Sequence, residues 1–362
     1  MLDRFRSFFK RYERYVSPVT LVFGFIFDNL TLRRIDVFYS NALLISYLFV
    51  SAGSIMLLNI HESRRTRLER ERSEMVHAIS VFMMQFCLGG LFSASFLFYS
   101  KSGSIVASWP FLLMLVGYIT GNELLRKNYI RLSFQIAVFF TALFSYLIFF
   151  FPIILGKMGD SIFILSGIAS LMITGLFIYV LSWFAHERTA RSAPVIVLSV
   201  GGLFAIINAL YFTNLIPPIP LALKHAGIYR SVERLSDGTY QTIGENQQWF
   251  TVFAPDPVIH VDPGSGLYAL SAIFAPANLE TDIIHEWQRY DDASRSWQTV
   301  STINLNITGG RANGYRTFSH ETNIDPGLWR VNVKTPRGQL IGRMSFTVAT
   351  STGNETLVTE TE

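Results

Sequence analysis

The sequence predicts a helical transmembrane bundle of seven spans, the first one short, followed by an all-β antiparallel sandwich. Three observations carry this expectation. Long apolar runs fill the first two hundred residues. A proline-rich stretch, 214-NLIPPIPLALKHAGIY-229, ends them. Beyond it, apolar and polar residues alternate in short segments separated by Gly, Pro, Asn and Asp.

Composition sets the class. With 50% hydrophobic residues and 31 Phe among 362, the chain is too apolar for an ordinary soluble protein. The net charge of +4 is divided unevenly: residues 1–213 carry 19 Lys/Arg against 11 Asp/Glu, and residues 214–362 carry 11 against 15. The basic excess therefore lies in the apolar half, where loop cations set orientation, and this argues against a nucleic-acid face. Cys87 is the one cysteine, so no internal disulfide forms and redox chemistry has no support. The β half must stand on its own apolar core.

Residues 1–17 interleave Arg4, Arg6, Lys10, Arg11 and Arg14 with aromatic and aliphatic side chains, the pattern of an amphipathic helix lying at a membrane surface. Residues 18–213 form the bundle. Six runs are long enough to span: about 37–60, 76–100, 105–125, 132–152, 161–184 and 194–213. A seventh, 18–32, reaches only about 22 Å as a helix. Charge decides that it crosses. If it does, the N-terminus, the loop 61-HESRRTRLERERSE-74 and the loops 126–131 and 185–193 place 15 basic residues inside. Four remain outside: Arg33, Arg34, Lys101 and Lys157. The N-terminus is then cytoplasmic and the C-terminal domain outside. In the Arg-rich loop, Arg65/Glu69, Arg67/Glu71 and Arg70/Glu74 have i,i+4 spacing and predict a solvated helical arm.

Gly90/Ala94 and Gly201/Ala205 have the spacing of close helix approach. Ionisable residues inside spans are few. Glu123 has Arg126 and Lys127 a turn away, which reads as interfacial pairing. Asp28 in 24-GFIFDNLTLRRID-36 is the costlier residue, and Asp28, Asn29, Arg33 and Arg34 form the candidate polar membrane site. No span carries the buried lysine a retinal protein needs.

Pro217, Pro218 and Pro220 end the last helix and make 214–227 a stiff hinge, with Lys224 and His225 as candidate interface residues. Over 228–348 the expected strands are 228–235, 239–244, 249–254, 267–274, 283–290, 297–307, 315–320, 328–335 and 339–348, with a turn at Asp237-Gly238. The motif 325-DPGLWRV-331 has the form of an immunoglobulin-like penultimate strand, with Trp329 at the corner-tyrosine position and Val331 at the cysteine position. Trp287 is placed as the core tryptophan. The domain is thus expected to be a disulfide-free immunoglobulin-like sandwich, followed by a disordered tail over 349–362.

Catalytic signatures are missing. There is no G-x-S-x-G elbow, phosphate loop or dinucleotide fingerprint. His285-Glu286 and His320-Glu321 alternate across strands, so neither pair makes a metal site by itself. No cofactor is implied, and the reading leans away from an enzyme.

The stretches 216-IPPIPLALKHAGIY-229, 24-GFIFDNLTLRRID-36 and 327-GLWRVNVKTPRGQLIGRMSFTV-348 resemble a bacterial family of multi-pass inner-membrane proteins, catalogued as domain of unknown function 2914. The resemblance implies a Gram-negative inner membrane and a periplasmic β domain, and it supplies no activity. The first functional expectation is a non-enzymatic membrane protein whose sandwich binds an envelope partner: a protein, a glycan or peptidoglycan. The alternative is a transporter or lipid-handling protein with a polar path at Asp28 and the sandwich as its lid. Besides the lipid bilayer and that envelope partner, no partner is implied.

Overall fold

The computed structural model describes residues 38–63, 70–103, 105–124, 131–245, 256–262, 264–276, 279–311, 313–322, 324–351, 353 and 355–361. The expected interfacial N-terminus and short first span, with Asp28, Asn29, Arg33 and Arg34, the pairs Arg65/Glu69 and Arg67/Glu71, and the strand expected at 249–254 lie outside these residues.

Two compact units divide the chain. One holds the helices. The other holds 214–362 together with the helix-connecting segments Ser100–Ser108 and Leu155–Gly159.

Six helices are described: α1 Phe38–Ser63, α2 Arg70–Lys101, α3 Ile105–Leu124, α4 Leu132–Leu155, α5 Asp160–Phe184 and α6 His186–Phe212. Five are long and apolar enough to cross a membrane, while α3 contributes the shorter apolar segment Ala107–Gly121. α2 starts at Arg70, a little over two turns before its apolar part begins at Ile79, as a helical arm would. α4 is the central helix. Its apolar window is 72% buried, against 28% for α5 and 22% for α6.

Packing in the bundle rests on aromatics and on hydroxyls that return to their own helix. Ser166 Oγ donates to Ile162 O at 2.8 Å and Ser170 Oγ to Ser166 O at 2.7 Å, which satisfies polar groups where no water reaches. Side-chain pairs also join helices: Asn59 Nδ2 of α1 donates to Gln135 Oε1 of α4 at 2.7 Å, with both residues buried, and the Tyr118 and Thr141 hydroxyls of α3 and α4 are 3.1 Å apart. Such a bond locks the rotation of one helix against the other. Gly90 meets Tyr47, as the expected close approach requires. Gly201 and Gly202, by contrast, have nothing within 4 Å of a would-be Cβ.

One helix boundary differs from expectation. The stretch 185–193 reads as a loop, yet α6 begins at His186 and Pro194 lies inside it. The break from α5 is the single residue Ala185, with φ −136° and ψ 52°. Proline removes one donor, and a membrane helix tolerates that loss where neighbouring groups re-satisfy the freed carbonyl.

The second unit contains eleven described strands: β1 Ala222–Tyr229, β2 Ser231–Arg234, β3 Tyr240–Glu245, β4 Val258–Val261, β5 Leu267–Phe274, β6 Glu280–Asp291, β7 Ser296–Thr308, β8 Tyr315–Glu321, β9 Gly327–Lys334, β10 Leu340–Thr350 and β11 Leu357–Thr361. They form a three-stranded sheet β1-β5-β8, a five-stranded sheet β4-β10-β9-β6-β7 and a small sheet β11-β3-β2. All pairings are antiparallel except β4 with β10.

The first two sheets bury one apolar core. Ile228 of β1 and Ala269 and Ile273 of β5 share it with Ile283 and Trp287 of β6, Val331 and Val333 of β9, and Met344, Phe346 and Val348 of β10. Trp287, Trp329 and Val331 are 0%, 2% and 0% exposed. Gly238 (φ +86°) and Gly338 (φ +92°) occupy the hairpin turns after β2 and β9, where a side-chain-bearing residue would be strained.

The segments flanking the domain differ from expectation. Residues 214–221, expected as part of a stiff hinge, are packed. Ile216 to Ala222 are buried, Gln339 Nε2 donates to Ile216 O at 3.0 Å, and Arg337 Nε donates to Asn214 Oδ1 at 3.2 Å. The prolines therefore serve as a packed strap, and β1 already starts at Ala222. A disordered tail is not observed over the described residues of 349–362. β10 continues to Thr350, and β11 pairs with β3 from Leu357↔Glu245 to Thr361↔Gln241. An edge strand is held by its backbone ladder, so 357-LVTET-361 pairs despite having little apolar surface to bury.

Candidate functional site

Two polar constellations stand out in the β domain, and their surroundings separate their roles.

The first is internal. His285 on β6 lies between the sheets with no exposed surface. Its Nε2 is 2.9 Å from Ser271 Oγ, its Nδ1 is 2.8 Å from Ser319 Oγ, and Trp287 Nε1 donates to Ser319 Oγ at 3.0 Å. Serine beside histidine suggests a nucleophile, but every member here is fully buried and no acidic side chain is among the hydrogen-bond partners. Burial lowers the His285 pKa to about 3, so the ring is neutral at physiological pH. With both ring nitrogens bonded to hydroxyls, the cluster satisfies a polar core and fixes the register of β5, β6 and β8.

The second is the outer face of the five-stranded sheet. Alternation brings three cross-strand rows to this face: Thr299–Gln288–Arg330–Ser345, Thr302–Glu286–Asn332–Arg343 and Asn304–Ile284–Lys334. A register shift between Trp287 and Gln288 adjusts the β6–β7 alignment so that these residues coincide. Hydrogen bonds then link them. Arg330 Nε donates to Gln288 Oε1 at 2.7 Å, and Arg343 Nε donates to Asn332 Oδ1 at 2.6 Å. Asn332 Nδ2 donates to Glu286 Oε2 at 2.9 Å and to Gln288 Oε1 at 3.1 Å, and Gln288 Nε2 donates to Thr299 Oγ1 at 3.0 Å. Lys334 Nζ pairs with Glu286. The Arg330 guanidinium lies over the Trp297 ring, 4.1 Å from its centroid, and Trp297 meets Tyr290 edge-on at 5.3 Å.

The electrostatics follow from this lattice. Burial raises the Glu286 pKa, but hydrogen bonds from Lys334 and Asn332, with the charges of Lys334 and Arg330, outweigh it and leave the carboxyl below its usual value. Partial burial lowers both arginines below the ordinary guanidinium value. Arg343 adds to the shift at Arg330 through like charge, and Glu286 opposes it at both. Within these three rows, three cations against one carboxylate leave a net positive charge on a half-chain whose own balance is negative. Each guanidinium commits only its Nε to a protein acceptor among the described residues. Two cations held side by side with unspent donors favour an incoming anion.

The residues expected to carry a site fall elsewhere. Lys224 is exposed at the β1 bulge, 5.4 Å from the Phe274 ring centroid, and His225 Nε2 is 3.0 Å from Tyr229 Oη. Neither belongs to the cationic face. Trp287 and Val331 lie in the core beneath it. Trp329 donates from Nε1 to Asp325 O at 2.8 Å. The side chain of Glu123 and all four residues around Asp28 lie outside the described positions. Sequence reasoning passed over Arg330, Asn332 and Lys334, although their alternation with Trp329, Val331 and Val333 is visible in 328-LWRVNVK-334. Among the described residues, no group of three or more His, Cys, Asp or Glu is arranged to hold a metal ion.

Comparison with known proteins places this face within a recognised segment. Residues 280–348 match the family described as "Protein of unknown function (DUF2914)". That match covers β6 through most of β10, and so every residue of the cationic rows. No curated protein matches the chain. Among solved structures, a β-glucosidase from Listeria innocua in complex with gluconolactone is similar at 12% identity and a TM-score of 0.19, over 31% of this chain. The chain spans 16% of that enzyme's length. An alkylpurine DNA glycosylase, AlkC, from Pseudomonas fluorescens, bound to DNA containing an abasic site analogue, is similar at 10% identity and a TM-score of 0.22, over 84% of this chain and 97% of that one. At these scores neither likeness carries an argument about fold or activity.

Proposed function

We propose that the chain is a non-enzymatic integral protein of a bacterial inner membrane, and that its C-terminal domain is an immunoglobulin-like module that binds an envelope partner on the periplasmic side. The membrane part is supported by five helices of spanning length and composition, and the orientation by 15 basic residues on one side against four on the other.

Support for the immunoglobulin-like reading is topological. β1, β5 and β8 form one sheet, and β10, β9, β6 and β7 form the other with β4 parallel to β10. Trp287 fills the core from β6, and Trp329 makes the backward hydrogen bond that a corner tyrosine would make. The binding role rests on one observation, the pair of guanidiniums whose Nε atoms are tied down while their terminal nitrogens are unspent among the described residues. A merely solvated sheet face has no need of that organisation.

The test is photo-crosslinking in living cells, with a photoreactive side chain at Thr302 on this face or at Glu233 on the small sheet. A discrete adduct from position 302 and none from position 233 is expected. Equal adducts at both positions, or none at 302, would overturn the proposal.

A further inference from the structure

Resting on that reading of the face, we infer that its ligand is an acidic glycan, a sugar chain whose carboxylates are taken by Arg330 and Arg343. The argument begins with spacing. Three successive levels of the sheet each carry one cation: Arg330 on β9, Arg343 on β10 opposite Asn332, and Lys334 on β9. Levels two residues apart along a strand are separated by about 6–7 Å, so the cations step along the sheet over roughly 13 Å. A single small anion would use one step. A chain with charges at intervals reaches both arginines, with Lys334, paired to Glu286, at the third level.

Chemistry narrows the class further. Carboxylates are planar and match a guanidinium whose remaining donors point in a fixed fork. Here the forks are set before any ligand arrives. Gln288 and Asn332, as positioning residues, hold Nε of Arg330 and Arg343 at 2.7 and 2.6 Å, and the Trp297 ring supports Arg330 from one side. Preorganisation of this kind removes side-chain ordering from the cost of binding. Trp297 and Tyr290 add an aromatic wall at the end of the cation row, and the hydroxyls of Thr299, Thr302 and Ser345 flank it.

A protein partner fits less well. Stable protein interfaces centre on a desolvated apolar patch in which lysine, glutamate and serine are depleted. This face has Lys334, Glu286 and Ser345 across its middle, and its aliphatic residues Val258, Ile284 and Leu328 stand on three different strands, with Thr347 between Val258 and Leu328.

The experiment uses the full chain in phosphatidylcholine nanodiscs and fluorescently labelled oligogalacturonate, followed by anisotropy. A neutral maltooligosaccharide of equal length and an inorganic polyphosphate of matched charge serve as the other arms. Oligogalacturonate is expected to bind, more weakly as salt is raised, with no binding of the neutral sugar and weaker binding of polyphosphate. Arg343→Gln, at an exposed position, and Arg330→Gln/Arg343→Gln are each expected to weaken binding by about tenfold or more. The charge-matched control Arg234→Gln leaves it unchanged, and Trp297→Ala weakens the sugar arm more than the polyphosphate arm.

Absence of oligogalacturonate binding, equal binding of the neutral sugar or of polyphosphate, or wild-type affinity in Arg343→Gln would each overturn the inference. If a Thr302 adduct still forms while oligogalacturonate does not bind, only the glycan assignment fails. If both are absent, the binding role of the face fails with it.

Discussion

The buried His285 makes the β domain acid-sensitive in a way that can be calculated. The ring is shielded from water and its pKa falls from 6.5 to about 3. An unfolded chain takes up a proton at this ring near pH 6.5, whereas the folded chain does so only near pH 3. Stability is therefore unaffected above about pH 6.5 and is lost as pH falls through the window between the two values. The loss from this ring alone is about 2 kcal/mol at pH 5, rising to about 5 kcal/mol below pH 3.

His285→Gln removes the titrating group and keeps an amide that can reach the Ser271 and Ser319 hydroxyls. The assay is hydrogen exchange of the β6 and β8 amides by mass spectrometry on the full chain, corrected for the intrinsic pH dependence of exchange and read as an opening free energy at pH 7 and pH 5. Wild type should lose about 2 kcal/mol more than His285→Gln across that interval. Equal losses would refute the burial argument, because they would mean the ring is protonated in the folded domain or is not shielded.

Three further variants have expected outcomes. Glu286→Gln should destabilise the domain at neutral pH, with the difference vanishing as the wild-type carboxyl protonates in acid, because its pKa lies below the usual value. The same variant should bind oligogalacturonate more tightly, since it removes the one negative charge among three cations, and a weaker complex would contradict the charge assignment. Trp329→Phe removes the hydrogen bond to Asp325 O and should cost about 1 kcal/mol or slightly more in the same exchange assay. Ala293→Cys, in the exposed β6–β7 turn of a chain whose one native thiol is buried, should react with a membrane-impermeant maleimide in intact spheroplasts. Protection there until lysis would reverse the proposed orientation.

Much of this architecture was legible because burial imposes period. The short apolar run 267-LYALSAIF-274, buried almost throughout, coincides with β5, and the alternation in 328-LWRVNVKT-335 is off by one residue from β9. What escaped sequence reasoning lacked that signal. β4 is four residues between Pro257 and Asp262, too short to show a pattern, and is held by its parallel ladder to β10. β11 exists through its ladder to β3 and not through a core. α6 began early because Pro194 reads as a start when it is in fact inside a helix.

A change of composition marks the junction at Lys224 and His225, whereas the cationic face is assembled from four strands. Its polar members could be read one strand at a time. Their meeting could not, because the β6–β7 shift at Trp287/Gln288 and the β9–β10 shift at Leu340/Gly342 set which residues face each other, and a bulge leaves no mark in a hydrophobic pattern.

Arginine footprinting tests the central claim most directly. The full chain is treated with phenylglyoxal with and without oligogalacturonate, and modification is read residue by residue from peptide masses. Ligand should shield Arg330 and Arg343 while leaving Arg234 and Arg289, which lie off the face or at the Asp325 pair, reacting as before. Shielding spread evenly over all four, or confined to Arg234 and Arg289, would contradict a site built on the outer face of the five-stranded sheet.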